Sequence, residues 1–282
     1  MNKVYNDASG FLDFEKDGIL IRVKQTTGSA PRDTDALMLI NENSSFGTVG
    51  GGHLEYDAIE KALKFLKISN FKAKSLEYFL GPELGQCCGG RVLLSFDKLD
   101  LKLREELAMS NAKFQQALTN VYIFGAGHVG KALAKQLHYL PLRFHLIDSR
   151  PEMFNNFEFS ENCAITAIPE AKIRDGVPGS AYVILTHDHA LDFLLVKEVL
   201  MRNDSIYIGM IGSKTKKSVL KNWLQKEDVS GVERVVTPIG SSLRGSSGLD
   251  KRPDVIAVFV AAEILAAIQS NKTLNSFAGN SI

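Results

Sequence analysis

Two adjacent cysteines, Cys87 and Cys88, stand in the run Gly85-Gln86-Cys87-Cys88-Gly89-Gly90. Thiolates are soft ligands suited to soft metals and sulfur-rich chemistry, and a glycine-flanked loop gives them access. Gly50-Gly51-Gly52-His53-Leu54-Glu55 sets three glycines before a helical pattern, so bare N–H groups can face an anion at a helix N-terminus. Gly28-Ser29-Ala30-Pro31-Arg32 is a turn that presents a guanidinium. Each feature alone has a plainer reading: a solvated arginine, a tight turn, and cysteines that are simply buried.

A further glycine pattern follows downstream. Val121-Tyr122-Ile123-Phe124 leads into Gly125-Ala126-Gly127-His128-Val129-Gly130 and then the helical KALAKQL, with Asp148 closing the next apolar run. In a strand–loop–helix of this kind Gly125 permits the tight turn and Gly127 lets backbone approach a pyrophosphate. Gly130 lets helix and strand pack closely, and Asp148 can accept from a ribose hydroxyl. Gly125, Gly127, His128, Gly130 and Asp148 are therefore the candidate nucleotide residues. The context supports a Rossmann-type fold, whereas use of NAD(P) is a separate claim, since the fold hosts many functions.

Thr186-His187-Asp188-His189-Ala190-Leu191-Asp192 invites a metal reading, because two imidazoles and a carboxylate are close in sequence. The pattern His-x-His-x-Asp-His fails, with Leu191 and Asp192 at its last two positions. Asp188 reads instead as a helix cap. His187, Asp188 and His189 then line the crevice at the carboxyl end of a strand. No metal ligand and no catalytic residue is assigned.

The elements that must position these residues fall into two groups. Segments 18–26, 36–40, 74–80 and 91–96 read as strands, and 53–66 as a helix with one apolar face. Segment 99–119 is polar and helix-prone and reads as a connection. Beyond it β-type runs at 121–124, 144–147, 164–167, 181–185 and 206–208 alternate with helical patterns at 129–138, 190–201 and 214–225. A last helix is expected over 253–269. Such alternation predicts a doubly wound parallel sheet. The expected organisation is a small mixed α/β domain over 1–98, a connecting helix over 99–119, and a Rossmann-like domain over 120–282.

Composition sets the broad class. The chain has 282 residues, 45% hydrophobic and 23% charged, with a formal net charge of +1. A near-neutral balance gives no electrostatic reason to expect nucleic acid or an anionic membrane, and lysines cluster only briefly, as at Lys214, Lys216 and Lys217. The apolar stretch 255–268 is short for a bilayer and contains Glu263. Residues 1–7 lack the apolar core of a secretory signal, and three cysteines cannot form a closed disulfide set. A reducing cytoplasm is the expected compartment.

Taken together, GSAPR (28–32), GTVGGGHLE (47–55), LGQCCGG (84–90), VYIFGAGHVGKALA (121–134), IDSRPEMF (147–154), THDHALD (186–192), YIGMIGSKTKK (207–217) and KRPDVIAVFVAAEI (251–264) resemble the xanthine dehydrogenase accessory proteins, the XdhC/CoxI-type family. GGGHLE and GQCCGG are the most specific of these and the G-x-G-x-x-G the least. Many relatives carry Cys after the triple glycine where this chain has His53, so any role of that Cys does not carry over. The His form with a double Cys reads as the subgroup serving xanthine dehydrogenase rather than carbon monoxide dehydrogenase.

The resemblance implies a cytoplasmic chaperone for cofactor insertion rather than an enzyme. It would bind the molybdenum cofactor (molybdopterin), support its sulfuration by a cysteine desulfurase, and deliver it to apo-xanthine dehydrogenase. Arg32, Gly50, Gly51, Gly52, His53, Glu55, Gln86, Cys87 and Cys88 are the candidate cofactor residues, and a homodimer is left open. Two other readings compete: an NAD(P)-dependent oxidoreductase built on residues 125–130 and Asp148, and a pure interaction scaffold.

Overall fold

The computed structural model describes residues 17–28, 34, 36–81, 89–242 and 250–278, with side chains to residue 271. The chain forms two compact units that divide between Ala117 and Leu118.

The first unit is built on an antiparallel sheet of β1 (Ile19–Thr27), β2 (Leu37–Ile40), β3 (Ser45–Gly47), β4 (Ala73–Phe79) and β5 (Arg91–Lys98), in the order β3-β2-β1-β5-β4. Alternation decides its faces. Ile19, Ile21 and Val23 of β1 and Val92, Leu94 and Phe96 of β5 point to one side. There they meet Leu54, Ala58 and Ala62, one stripe of helix α1 (Gly52–Leu66). Leu20, Leu39, Phe46 and Leu99 point to the other side and are covered by Leu103 and Leu107 of α2 (Leu101–Gln116). Asp100 starts α2 by accepting from the Leu103 N–H at 2.8 Å. The expected connecting segment thus forms one layer of this unit.

The second unit holds six parallel strands: β6 (Thr119–Phe124), β7 (Leu142–Asp148), β8 (Cys163–Ile165), β9 (Ala181–Ile184), β10 (Tyr207–Met210) and β11 (Val235–Val236). Their order is β11-β10-β9-β6-β7-β8, so the chain works outward from β6 in one direction and then from β9 in the other. This is the doubly wound arrangement, and its switch point lies between β6 and β9. The strands are near-continuous apolar runs because both faces are covered. Val121, Ile123, Phe144, Leu146 and Val183 face α3 (His128–His138) and α7 (Pro253–Ala278). Tyr122, Phe124, Ile147, Tyr182 and Ile184 face α4 (Pro169–Arg174), α5 (His189–Arg202) and α6 (Lys214–Lys226). Each fully buried aliphatic side chain here contributes about 1.5–3 kcal/mol over leaving it exposed.

Helix α7 is long and apolar enough over 253–271 to cross a membrane by length and composition. Its Ala257, Val260, Ala261 and Ile264 instead join the core with α3, and its Glu263 is buried among hydrogen-bond donors.

Candidate functional site

Strand register places the first-unit motifs. Thr27 pairs with Arg91, Phe79 with Arg91, Arg22 with Leu37 and Met38 with Gly47. The end of β1, the start of β2, the end of β3, the end of β4 and the start of β5 therefore all lie at one end of the sheet. The connections that carry GSAPR and GQCCGG leave from and return to that end, and the one that carries GGGHLE leaves β3 there and runs into α1. Gly28 and Gly90 show how close two of them run: a Cβ on Gly28 would stand 3.3 Å from the Gly90 Cα. Arg32, Gln86, Cys87 and Cys88 lie outside the described residues.

The triple glycine takes φ of 141°, 75° and 59° at Gly50, Gly51 and Gly52, a backbone that side chains with a Cβ resist. Glu55, in the first turn of α1, turns back onto this loop. Its Oε2 accepts from the Thr48 hydroxyl at 2.5 Å, the Gly51 N–H at 3.0 Å and the Val49 N–H at 3.2 Å. The Gly50 N–H donates to the Thr48 hydroxyl. Glu55 therefore shapes the loop rather than pointing out of it. The Gly52 and His53 amides have no hydrogen-bond partner among the described residues, and no side chain caps the helix. No heavy atom lies within 4 Å of where a Gly51 Cβ would stand, and His53 is exposed beside Tyr56. An uncapped, glycine-lined helix N-terminus of this kind suits an anion. At the same end of the sheet, the Arg91 guanidinium lies over the Phe79 ring, 4.6 Å from its centroid.

In the second unit the glycine turn closes β6 and opens α3. Gly125 has φ of 114°, and a Cβ there would overlap the Leu185 carbonyl. A Cβ on Gly130 would overlap the Gly125 carbonyl oxygen. Packing within the protein thus demands both glycines. It does not demand Gly127, whose φ is −71° and whose Cβ position is open. His128 opens α3 immediately after it.

Asp148 holds this turn in place. Its Oδ2 accepts from the Ala126 N–H at 2.8 Å and from Arg150 Nη2 at 2.9 Å. Its Oδ1 accepts from the Arg150 N–H at 3.1 Å and Nε at 2.9 Å. Burial opposes its ionisation, but the Arg150 and Ala126 hydrogen bonds outweigh burial and hold the carboxyl below the usual carboxylate range.

A cavity of about 200 Å³ opens at the carboxyl ends of β6, β7 and β9. Ile147, Ala167, Pro169, Leu191 and Leu194 supply apolar walls, and Ser149, Glu170, Thr186 and His187 supply polar ones. Asp188 caps α5, accepting from the Ala190 N–H at 2.8 Å, while His187 and His189 are exposed. Asp192 is fully buried and is spent inward. It accepts from the Thr186 hydroxyl at 2.7 Å, from the Thr186 N–H at 3.1 Å and from Lys216. No group of three or more His, Cys, Asp or Glu side chains among the described residues is placed to hold a metal ion.

Three groups escaped the sequence reading. Lys216 reads only as part of a short lysine cluster, yet it ties α6 to Asp192. Arg150 carried no signal beyond its place after Asp148. Glu263 accepts from Tyr207 Oη at 2.7 Å, the Gly240 N–H at 2.9 Å and the Ser242 N–H at 2.8 Å, which anchors segment 237–242. Cys163 donates to the Phe159 carbonyl, and burial pushes its thiol up to about 11, which disfavours the thiolate.

The comparisons with known proteins bear on the fold and the family. The chain is 22% identical over 262 residues to the uncharacterized protein YqeB of Escherichia coli (strain K12). That alignment takes in 87% of this chain and 42% of YqeB, so the chain spans less than half the length of that relative. A solved structure described as a xanthine dehydrogenase from Bacillus halodurans matches with a TM-score of 0.76 at 18% identity, over 95% of this chain and 96% of the other. At that identity the likeness is one of fold. Residues 14–74 match the model of the XdhC and CoxI family, and residues 121–264 match the XdhC Rossmann domain. The second match alone covers just over half of the chain, which therefore belongs to the XdhC and CoxI family.

Proposed function

We propose that the protein is a maturation factor for a xanthine dehydrogenase: it binds the molybdenum cofactor, supports exchange of an oxo ligand for sulfide, and delivers the cofactor to the apo-enzyme. The observation that carries this reading is the convergence of three glycine-rich connections on one end of a single sheet, in a chain of this family. The structural likeness to a protein described as a xanthine dehydrogenase points the same way.

The cargo carries a phosphate, a pterin and a dithiolene-bound metal, and the residue types in and beside these three connections suit each part. The open Gly52 and His53 amides and the exposed His53 ring suit the phosphate. Arg32 and Gln86 offer donors to pterin oxygens, and the Phe79–Arg91 pair offers a flat face. Cys87 and Cys88 are soft donors for the metal or for sulfur arriving from a cysteine desulfurase. Arg91, three residues past Cys88, supplies a cation that favours a thiolate. Glu55 keeps the glycine loop in shape.

The test is anaerobic isolation from a molybdate-replete host, followed by assay of released pterin and molybdenum and of activation of apo-xanthine dehydrogenase. The parent protein is expected to carry both. Of Cys87→Ala and Cys88→Ala, at least one is expected to lose cofactor or sulfide-dependent activation with unchanged melting. A parent protein that carries neither pterin nor molybdenum would overturn the reading.

A further inference from the structure

The second unit contains a crevice to which the proposed handling of a molybdenum cofactor assigns no part. It lies at the switch point of the doubly wound sheet, where open α/β sheets take ligands. At about 200 Å³ the cavity falls below the roughly 300–1,000 Å³ of sites that enclose a whole drug-sized ligand. It suits one flat heterocycle, with the remainder of the ligand lying across the crest. Its apolar walls, Ile147, Ala167, Pro169, Leu191 and Leu194, fit the faces of such a ring, while Ser149 and Glu170 can meet its polar edge. The open position at Gly127 leaves a path for a phosphate chain to reach the start of α3.

What distinguishes this crevice is the state of Asp148. A carboxylate has about four acceptor sites, and here four donors fill them: the Ala126 and Arg150 amides and two nitrogens of the Arg150 guanidinium. A ribose diol would find no free acceptor unless Arg150 first gave up its bidentate pair. Arg150 itself remains one-third exposed, with its Nη1 unpaired among the described residues. The crest thus presents a guanidinium where recognition of an unmodified ribose needs a free acid, and a nearby Arg is how a ribose phosphate is accommodated. Glu152 is the opposing charge on Arg150, but it is exposed and screened by solvent.

We propose that this crevice is a nucleotide site selective for adenosine whose ribose carries a phosphomonoester, held by Arg150. The same group occurs on the 2′ oxygen of NADP(H) and on the 3′ oxygen of coenzyme A, so the test separates the two.

Calorimetric titration of the full chain with 2′,5′-ADP, 3′,5′-ADP, AMP, NADP+ and NAD+ reads the preference directly. One of the two ribose-phosphorylated nucleotides is expected to bind at least about tenfold tighter than AMP, the effect of one charge-assisted hydrogen bond. If it is 2′,5′-ADP, NADP+ is expected to exceed NAD+ by a similar factor. Arg150→Ala is expected to abolish the difference, and Arg150→Lys, which keeps charge without the fork, to retain part of it. Gly127→Val, at a position whose φ a side chain can adopt, is expected to remain folded and to weaken the dinucleotide. AMP and NAD+ binding as tightly as the phosphorylated forms, or no nucleotide binding at all, would overturn the proposal. So would a preference that survives in folded Arg150→Ala.

Discussion

At the scale of single residues, the candidate sites depend on carboxylates that turn inward. Asp148 occupies the position from which a ribose hydroxyl could be bound, yet it pins Ala126 and fixes Arg150. Removing its charge should therefore cost stability. Asp148→Asn is expected to destabilise the second unit by about 1.5–3 kcal/mol at neutral pH, the range for hydrogen bonds to a charged group. The pH dependence has a definite sign. The folded carboxyl is held below its usual range, so its contribution is fully present above the unfolded value of about 3.9 and is lost as pH falls through the folded value. Denaturant unfolding of parent and variant from about pH 6 to about pH 2.5 should show the gap narrowing in that acid window. A gap that is constant across it would show that the charge of Asp148 contributes nothing. The spacing of Asp148 from the glycine turn was legible in the sequence. Its saturation was not, because that depends on the direction in which the Arg150 side chain turns. Glu55 is similar: its place in the first turn is written in the sequence, but its return to Thr48, Val49 and Gly51 needs the positive φ of three successive glycines.

At the scale of elements, long periodic segments were read with bounds close to those observed, whereas β3, β11 and α4 were not read at all. They hold three, two and six residues, too short for a period of two or 3.6 to repeat. Helix α7 runs to Ala278 rather than 269, since 270–278 contains neither Gly nor Pro to stop it. What orders these elements around the crevice is a second inward carboxylate, Asp192, on α5. It joins the Thr186 turn after β9 to Lys216 on α6, and neither Asp192 nor Lys216 is more than one-tenth exposed. Lys216→Met would leave a buried charge without its cation, a change that costs about 3–5 kcal/mol. The double variant Asp192→Asn/Lys216→Met is expected to recover much of that loss, because it removes both charges. Urea midpoints of the two variants check this. If the single variant is as stable as the parent, the ion pair does not hold β9 and α6 together. In the sequence Lys216 is only one of three clustered lysines, since its partner Asp192 lies 24 positions away.

At the scale of the whole molecule, each of the two units carries a candidate site of its own. The first gathers its glycine-rich connections at one end of an antiparallel sheet, and the second keeps a crevice of its own at the switch point of a parallel sheet. The second unit draws both of its cores from its own residues: Ile123, Leu133, Leu146, Val183 and Ile264 on one face, and Phe124, Ile147, Ile184, Leu195 and Leu220 on the other. Every strand that pairs in its sheet also belongs to it. A unit with a complete core and no borrowed strand meets the requirements of an independently folding domain. The fragment 118–282 is therefore expected to be produced folded and to unfold in one cooperative step, followed by circular dichroism in urea. It is expected to show the same preference for ribose-phosphorylated adenosine as is expected of the full chain. Isolated anaerobically from a molybdate-replete host, the same fragment should carry neither pterin nor molybdenum, because the loops assigned to that cargo lie in residues 28–90. Pterin on the folded fragment would move the cofactor site into the Rossmann unit and overturn the assignment of Arg32, the triple glycine and Cys87–Cys88. A fragment that unfolds without a cooperative transition would show that the parallel sheet depends on the first unit for its stability.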